Sequence, residues 1–487
     1  WDELDECIEL ISSTLNLSKD CKFPIYVHNL GYEFQFMREY FEWDNIFAVG
    51  ERKPLKASTK NGIEFRDSYI LSGYSLANTA KNLSKYKVQK MIGDLDYSLI
   101  RHNKTPLTDK ENKYCENDII VILAYIKEQI EQNGGIHKIP LTNTGRVRTF
   151  VRNNCYYTHT NHKKTSKGKY CRYRKIMDDL TIDKDSYIQL KRGFMGGFTH
   201  SNPNYTNKVI EAVDSVDLTS SYPTVMLSDM FPMSRPRKLD IKSVDELKKS
   251  FNKHCVIFDV RFTGLKNILG YESYLSDSKC FKQINPVNQN GRIFEADCLI
   301  TTITDVDFAI IEKVYEWDAI EISNVNGYVK NYLPKSIIES ILDLYEKKTT
   351  LKDVDGSEVE YMLSKGMLNS IYGMCVTDIV KDEHIYNDDW ECVPVSIDEK
   401  IEEYNKSKNR FLYYPWGIWV TAYARRNLWM GIINIGEDYI YSDTDSIKMI
   451  NYEKHRPFIN KYNNWVRNKL NKMMQYYSLD KQLLEPE

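Results

Sequence analysis

The chain has 487 residues, 42% of them apolar, which is material for roughly two to four domains with real cores. A formal net charge of −2 excludes binding driven by bulk charge, so any nucleic-acid site must come from local clustering. Ten cysteines without a CxxC pair exclude a zinc module and a disulfide framework and fit a reducing cytoplasm, and no apolar run reaches membrane-spanning length.

The sequence opens on Trp1 rather than Met and stops at Glu487 without a tail pattern, so it is expected to be an internal or trimmed piece of a longer product. Asp2–Leu15 has helical periodicity, Pro24–His28 is a short β-rich run, Ala77–Leu83 reads as a helix, and Tyr114–Ile130 as a long amphipathic one. The pattern breaks at Gly134-Gly135. Ten Lys/Arg and no acid follow between Arg146 and Lys175, interleaved with Tyr156, Tyr157, Tyr170 and Tyr173. This predicts a basic linker over 136–185, either a phosphate-tracking strip with stacking tyrosines or a solvated tether. Residues 186–235 return to strands and turns, and 236–345 read as a separate α/β insertion. Leu342–Lys352 and Tyr361–Tyr372 are helical, the second ending at Gly373. Residues 376–412 are polar and hairpin-like, Thr421–Trp429 is helical, and Glu437–Asn451 is a β-hairpin.

The chemistry gathers in three places. Asp443 and Asp445 sit at a turn between apolar strand segments, where carboxylates escape the sheet and can reach a hard cation; a polar turn is the bland alternative. Asp217 follows a β-like run and precedes a helix, and it reads either as a metal ligand or as an N-cap. Lys365, Asn369 and Tyr372 share one helical face, offering a cation, an amide and a ring; otherwise they are a surface lysine and a core tyrosine.

Together and in this order, these segments resemble motifs A (Asp217–Pro223), B (Lys365–Gly373) and C (Tyr441–Ser446) of family B DNA polymerases, with Ser221 where motif A usually has Leu. The resemblance implies that Asp217 and Asp445 bind two Mg²⁺ (or Mn²⁺) ions with Asp443 in support. It also implies that Lys365 meets the dNTP triphosphate, that Ser220 and Tyr222 bind the nucleotide, and that Asn369 and Tyr372 line the nascent base pair. Phe194-Met-Gly196-Gly197 resembles the YxGG motif of the protein-primed branch, which implies DNA contact by Phe194, Gly196 and Gly197. The run Pro415–Arg425 resembles the same branch and implies a DNA contact for Arg425. Blocks 236–345 and 376–412 fall where that branch carries insertions, one docking a terminal protein as primer and one gripping DNA.

Upstream, Tyr26–Phe36 resembles the second motif of a 3′→5′ exonuclease, with Glu33 in the place of the usual Asp, and Tyr114–Asp118 resembles the third. Glu33 and Asp118 would be metal ligands and Tyr114 would orient water. His28, Asn29, Tyr32, Phe36 and Ser68 would hold single-stranded DNA. Gly93–Tyr97 also resembles the family, with Ile92 where a lysine is expected and Lys90 two residues earlier. The first exonuclease motif and the later KxY motif are not found, so exonuclease activity is expected to be impaired.

The implied fold is multidomain α/β and α+β, a ribonuclease H-like exonuclease domain followed by a right-hand polymerase. Its expected parts are the exonuclease (1–135), the linker (136–185), palm with motif A (186–235), the docking insertion (236–345), fingers (346–375), the DNA-gripping insertion (376–412), and palm with motif C and the start of a thumb (413–487). Implied partners are template and primer DNA and a terminal protein, with the chain a monomer or a heterodimer with that protein in the cytoplasm of an infected cell. A primer-independent relative and a nucleic-acid-binding protein on an inactive polymerase fold remain the alternatives.

Overall fold

A computed structural model describes residues 2–91, 98–102, 105–157, 163–352, 354, 358–387 and 389–484. They divide into two compact units: Trp1–Thr149 with Lys348–Met367 and Val380–Ser396, and Phe150–Lys347 with Leu368–Ile379 and Ile397–Glu487. Among the described residues no helix is long and apolar enough to cross a membrane.

The first unit is built on a four-stranded sheet in the order Phe23–Val27, Ile63–Asp67, Pro54–Thr59, Trp43–Ala48. The first two strands run parallel and the rest antiparallel. The helices Asp2–Thr14 and Leu30–Met37 bury Ile8, Leu30, Phe34 and Met37 with Ala57, Ile63 and Phe65 of the sheet. The long helix Asp109–Asn133 starts at a capping box: the Thr108 side chain accepts from the Glu111 backbone N–H while Glu111 accepts from that of Thr108. The hairpin of strands Glu383–Asn387 and Asp389–Val393 belongs to this unit, because Tyr386 and Trp390 pack their rings 5.2 and 5.8 Å from Phe34. The segment expected to be one hairpin-like insertion is therefore split, since Ile397–Lys406 is a helix of the second unit.

The second unit holds two sheets. The larger centres on the long antiparallel strands His254–Asn267, Arg292–Thr304 and Ala319–Asn331. The smaller runs Thr199–Ser201, Tyr439–Asp443, Ser446–Met449, Asp214–Asp217. Helix Tyr414–Ile435 is apolar nearly all round, as a helix buried on every side must be. Its Leu428, Trp429 and Ile432 join Phe258 and Phe308 of the larger sheet region and Tyr439 and Ile447 of the smaller in one core. Residues 236–345 thus share that core instead of forming one of their own.

The basic segment is not a linker. It folds as the helices Asn143–Tyr156, Lys163–Asp179 and Lys184–Gly193. Val147, Val151, Cys155 and Met177 are fully buried, so these helices carry an apolar inner face. Tyr156 and Tyr173, 2% and 4% exposed, are core residues rather than stacking platforms. The Tyr156 hydroxyl donates to the Arg410 carbonyl and that of Tyr173 to the Phe411 carbonyl.

Candidate active site

The smaller sheet of the second unit brings the motif carboxylates to one end. Ser446 lies opposite Asp217 on one side and opposite Asp443 on the other. The Leu218 N–H donates to the Asp445 carbonyl at 2.7 Å, closing the end of the sheet. Neighbouring strands lie about 4.8 Å apart, so Asp217 and Asp443 flank Ser446 two strand spacings from one another, with the Asp445 backbone adjoining both. Thr444 forms the turn between the two aspartates with φ +57°, and its N–H donates to the Phe198 carbonyl at 2.8 Å. The Asp443 carboxylate accepts from the hydroxyls of Thr199 at 2.8 Å and Thr444 at 3.1 Å. Turned onto these hydroxyls, it does not close with the other two: among the described residues no three His, Cys, Asp or Glu side chains form a group able to hold an ion. What the fold assembles is an exposed Asp217 and a half-buried Asp445 on adjoining backbone, an all-oxygen donor pair suited to a hard divalent cation.

Two tyrosines adjoin these carboxylates. The rings of Tyr222 and Tyr372 stack at 4.1 Å and 24°. Burial raises the Tyr222 phenol above its ordinary pKa; Arg425 opposes this, and the charges of Asp445 and Asp443 add to it. Ser220 takes φ +46° just before helix Ser221–Ser228, which lets the chain turn sharply from Asp217 into the helix carrying Tyr222. Asn369 is exposed on helix Glu358–Cys375, on which Tyr372 is half-buried. Lys365 is exposed on the same helix, but its stretch of chain belongs to the first unit.

The segment before the first small-sheet strand is shaped by close approach. A Cβ on Gly197 would lie 2.9 Å from Thr444 and 3.1 Å from the Tyr222 hydroxyl, so Gly197 is a packing requirement of the site. Gly196 has nothing within 4 Å of such a Cβ and stays open, while Phe194 is half-buried with the Lys279 ammonium 5.9 Å from its ring centre.

Arg425 does not reach DNA. It is 3% exposed, and its guanidinium is consumed internally. It pairs with Asp307 at 2.6 Å and donates to the Tyr274 hydroxyl at 2.7 Å, to the Gly196 carbonyl at 2.8 Å and to the Met195 carbonyl. It is a positioning residue that pins the 195–196 backbone, a network in which Asp307 and Tyr274 were invisible to motif reading.

The first unit gathers the exonuclease-like residues. Asp67 is buried, accepting from the N–H groups of Leu30, Tyr69 and Ile70 at 2.9, 2.6 and 3.0 Å, and so joins two helix starts. His28 Nδ1 lies 3.1 Å from the Ser68 hydroxyl, and desolvation lowers the imidazole pKa against the pull of Asp67 and Asp118. Asn29 takes φ +75° at the start of helix Leu30–Met37, which carries a half-buried Glu33. Tyr32 and Phe36 are exposed and meet edge-on at 5.1 Å. Asp118 is paired with Lys90, whose ammonium sits 4.1 Å from the ring centre of Tyr114. The Gly93–Tyr97 segment lies outside the described residues.

The family model of DNA polymerase type B, organellar and viral, matches residues 84–464. The DNA polymerase of Bacillus phage M2 is 24% identical over 456 residues, covering 88% of this chain and 72% of its own length. That of Bacillus phage phi29 is 23% identical over 377 residues, covering 77% and 58%. That of Streptococcus phage Cp-1 is 20% identical over 461 residues, covering 90% and 72%. Among solved structures, phi29 DNA polymerase complexed with primer-template DNA superposes with a TM-score of 0.65 at 19% identity, over 91% of this chain and 74% of that one. Its ternary complex with incoming nucleotide substrates gives 0.64 at 18%, over 88% and 72%. This likeness shows the fold, and bears out the expected exonuclease-plus-right-hand architecture. With the family model spanning most of its length, the chain belongs to the type B DNA polymerases of organelles and viruses.

Proposed function

We propose that this polymerase extends primer strands on a DNA template by two-metal phosphoryl transfer at Asp217 and Asp445, starting from a terminal protein. The carrying observation is the register that sets Asp217 opposite Ser446, with the Leu218 N–H on the Asp445 carbonyl. Two Mg²⁺ (or Mn²⁺) ions held there would supply charge neutralisation for the triphosphate and activation of the primer hydroxyl. Asp443, held by Thr199 and Thr444, fixes the turn on which Asp445 rides. Lys365 adds a cation for the dNTP phosphates, the task that dominates catalysis of phosphoryl transfer. Tyr222, Ser220, Asn369 and Tyr372 bound the nucleotide, and the Tyr222 ring denies room to a 2′-hydroxyl. Open Gly196 and half-buried Phe194 offer the template a surface beside that pocket.

Residues 236–345 serve as the priming-protein insertion, the hairpin strands Glu383–Asn387 and Asp389–Val393 within 376–412 as the DNA-gripping part, 346–375 as fingers, and 186–235 with 413–487 as palm. The chain acts as a monomer or beside its terminal protein in the cytoplasm of an infected cell. In the exonuclease-like unit, His28, Asn29, Tyr32, Phe36 and Ser68 hold single strands, while hydrolysis at Glu33 and Asp118 is weak because Lys90 already neutralises Asp118.

Asp217→Asn and Asp445→Asn are each expected to reduce dNTP incorporation on a primed template at least 1,000-fold (about 4 kcal/mol) with unchanged thermal unfolding. A folded variant extending primers at the normal rate would refute the assignment. Synthesis without any primer, protein or nucleic acid, would favour the primer-independent alternative.

A further inference from the structure

One cation in the first unit makes no ion pair among the described residues. Arg146 is half-buried in helix Asn143–Tyr156, and among the described residues its guanidinium makes a single hydrogen bond, to the Gln129 side-chain carbonyl. Its Nε is buried without a partner, and so is the Oδ1 of Asn143, one turn earlier. Both residues line a cavity of about 90 Å³ whose other walls mix the polar Ser72, Thr79 and Asn82 with Leu71, Tyr74 and Tyr125. Helix Glu358–Cys375 closes it through Met362, Leu363 and Gly366, next to Lys365. One carboxylate, Glu128, also lines it, but its oxygens are occupied by the Ser84 hydroxyl and the N–H groups of Lys85 and Tyr86.

An arginine this far out of water normally meets a carboxylate, because an uncompensated charge is costly away from solvent. Burial does push this guanidinium below the ordinary arginine pKa, with only the Tyr125 phenol pulling the other way. A guanidinium with most of its donors unused among the described residues, in a cavity of mixed polar and apolar lining with room for a small tetrahedral anion, is a site prepared for an oxyanion. Arg146 is also the first residue of the basic run in which Tyr156 and Tyr173 are core.

We propose that this cavity is a phosphate subsite in which Arg146 grips one phosphate group, carried either by a single DNA strand or by a nucleoside triphosphate. The choice of these two carriers rests on the polymerase reading; the anion site itself does not, since it lies in the unit that lacks Asp217, Asp443 and Asp445. Bound there, a phosphate bridges helix Asn143–Tyr156 to the start of the helix bearing Lys365, so occupancy fixes the base of the motif B helix.

The test is equilibrium binding to the full chain in metal-free buffer, using a labelled single-stranded oligodeoxynucleotide across a salt series and, separately, dTTP. Arg146→Gln is expected to weaken one of the two by about tenfold, the loss of a charged hydrogen-bond pair. If the strand is the carrier, the slope of log affinity against log salt also shrinks by about 0.7, one phosphate contact. Weakening confined to dTTP assigns the nucleotide. Arg146→Lys keeps charge but not the fork and should fall between, and it carries the test if the glutamine variant does not fold. Without ligand, Arg146→Gln should unfold at the same or a higher temperature, because it removes an unpaired charge. Affinities for both probes within twofold of the parent, or a lowered unfolding temperature with unchanged affinities, would overturn the proposal by making Arg146 structural. Asp217→Asn should bind both probes in metal-free buffer as the parent does, so failure of the polymerase reading would leave this outcome separately visible.

Discussion

Single residues carried most of what could be read in advance. Asp217, Asp443 and Asp445 stand out because a carboxylate at a strand end is a local pattern, and local patterns survive in sequence. Arg425 is not legible as a positioning residue because its partners, Asp307 and Tyr274, lie far off in the chain; a motif gives a residue's type but not the face it turns inward. Gly197 could be read as a tight spot, but not that its neighbours would be Thr444 and the Tyr222 hydroxyl. Ser221, where the family usually has Leu, is buried with its hydroxyl unpartnered. Replacing it by Ala removes an unmet polar group, so Ser221→Ala is expected to be neutral or to stabilise by up to about 1 kcal/mol. Urea unfolding measures this, and a loss greater than that would mean the hydroxyl has a partner after all.

Among the elements, strands and motif helices were legible, while the basic helices were not. In Asn143–Tyr156 and Lys163–Asp179 the apolar face is a few residues wide, and the density of Lys and Arg hid its 3.6-residue period. The hairpin 383–393 shows the opposite difficulty. Its strand character was readable, but its attachment to Phe34 depends on contacts that no local window contains. Tyr386 and Trp390 are the hairpin's hold on the first unit. The double change Tyr386→Ala, Trp390→Ala should lose about 1–3 kcal/mol of packing and free the hairpin while sparing the sheet beneath. Amide exchange would then speed up across 383–393 and stay slow in Ile63–Asp67; unchanged exchange in the hairpin would show that other contacts hold it.

At the scale of the whole molecule, a buried polar cluster fastens the last long helix to the rest of its unit. Asp229, at the end of the helix carrying Tyr222, accepts from Arg426 at 3.0 and 3.1 Å and from Lys469 of helix Tyr452–Tyr477 at 2.5 Å. Burial lowers Lys469 from 10.5 to about 8; Arg426 adds to the shift, and Asp229 works against it. Below about pH 8 the folded chain carries the full penalty of a charged lysine in this position. Between about 8 and 10.5 the unfolded chain holds a proton that the folded chain has shed, so stability from this residue rises with pH across that window. Relative to Lys469→Met, the parent's urea midpoint should therefore gain on going from about pH 7.5 to about pH 10; a constant difference would assign Lys469 an ordinary affinity for its proton.

The chain does not finish its first unit before starting the second. Residues up to Thr149 are followed by nearly two hundred of the other unit before Lys348–Met367 and then Val380–Ser396 return. At a synthesis rate of about 5–20 residues per second, tens of seconds separate the emergence of Phe34 from that of the Tyr386 and Trp390 rings that cover it. On the ribosome, the amino-terminal sheet must wait through that interval with an aromatic face uncovered. A host in which translation is slow, or in which chaperones that bind nascent chains are scarce, should yield less folded enzyme than its thermodynamic stability alone would forecast.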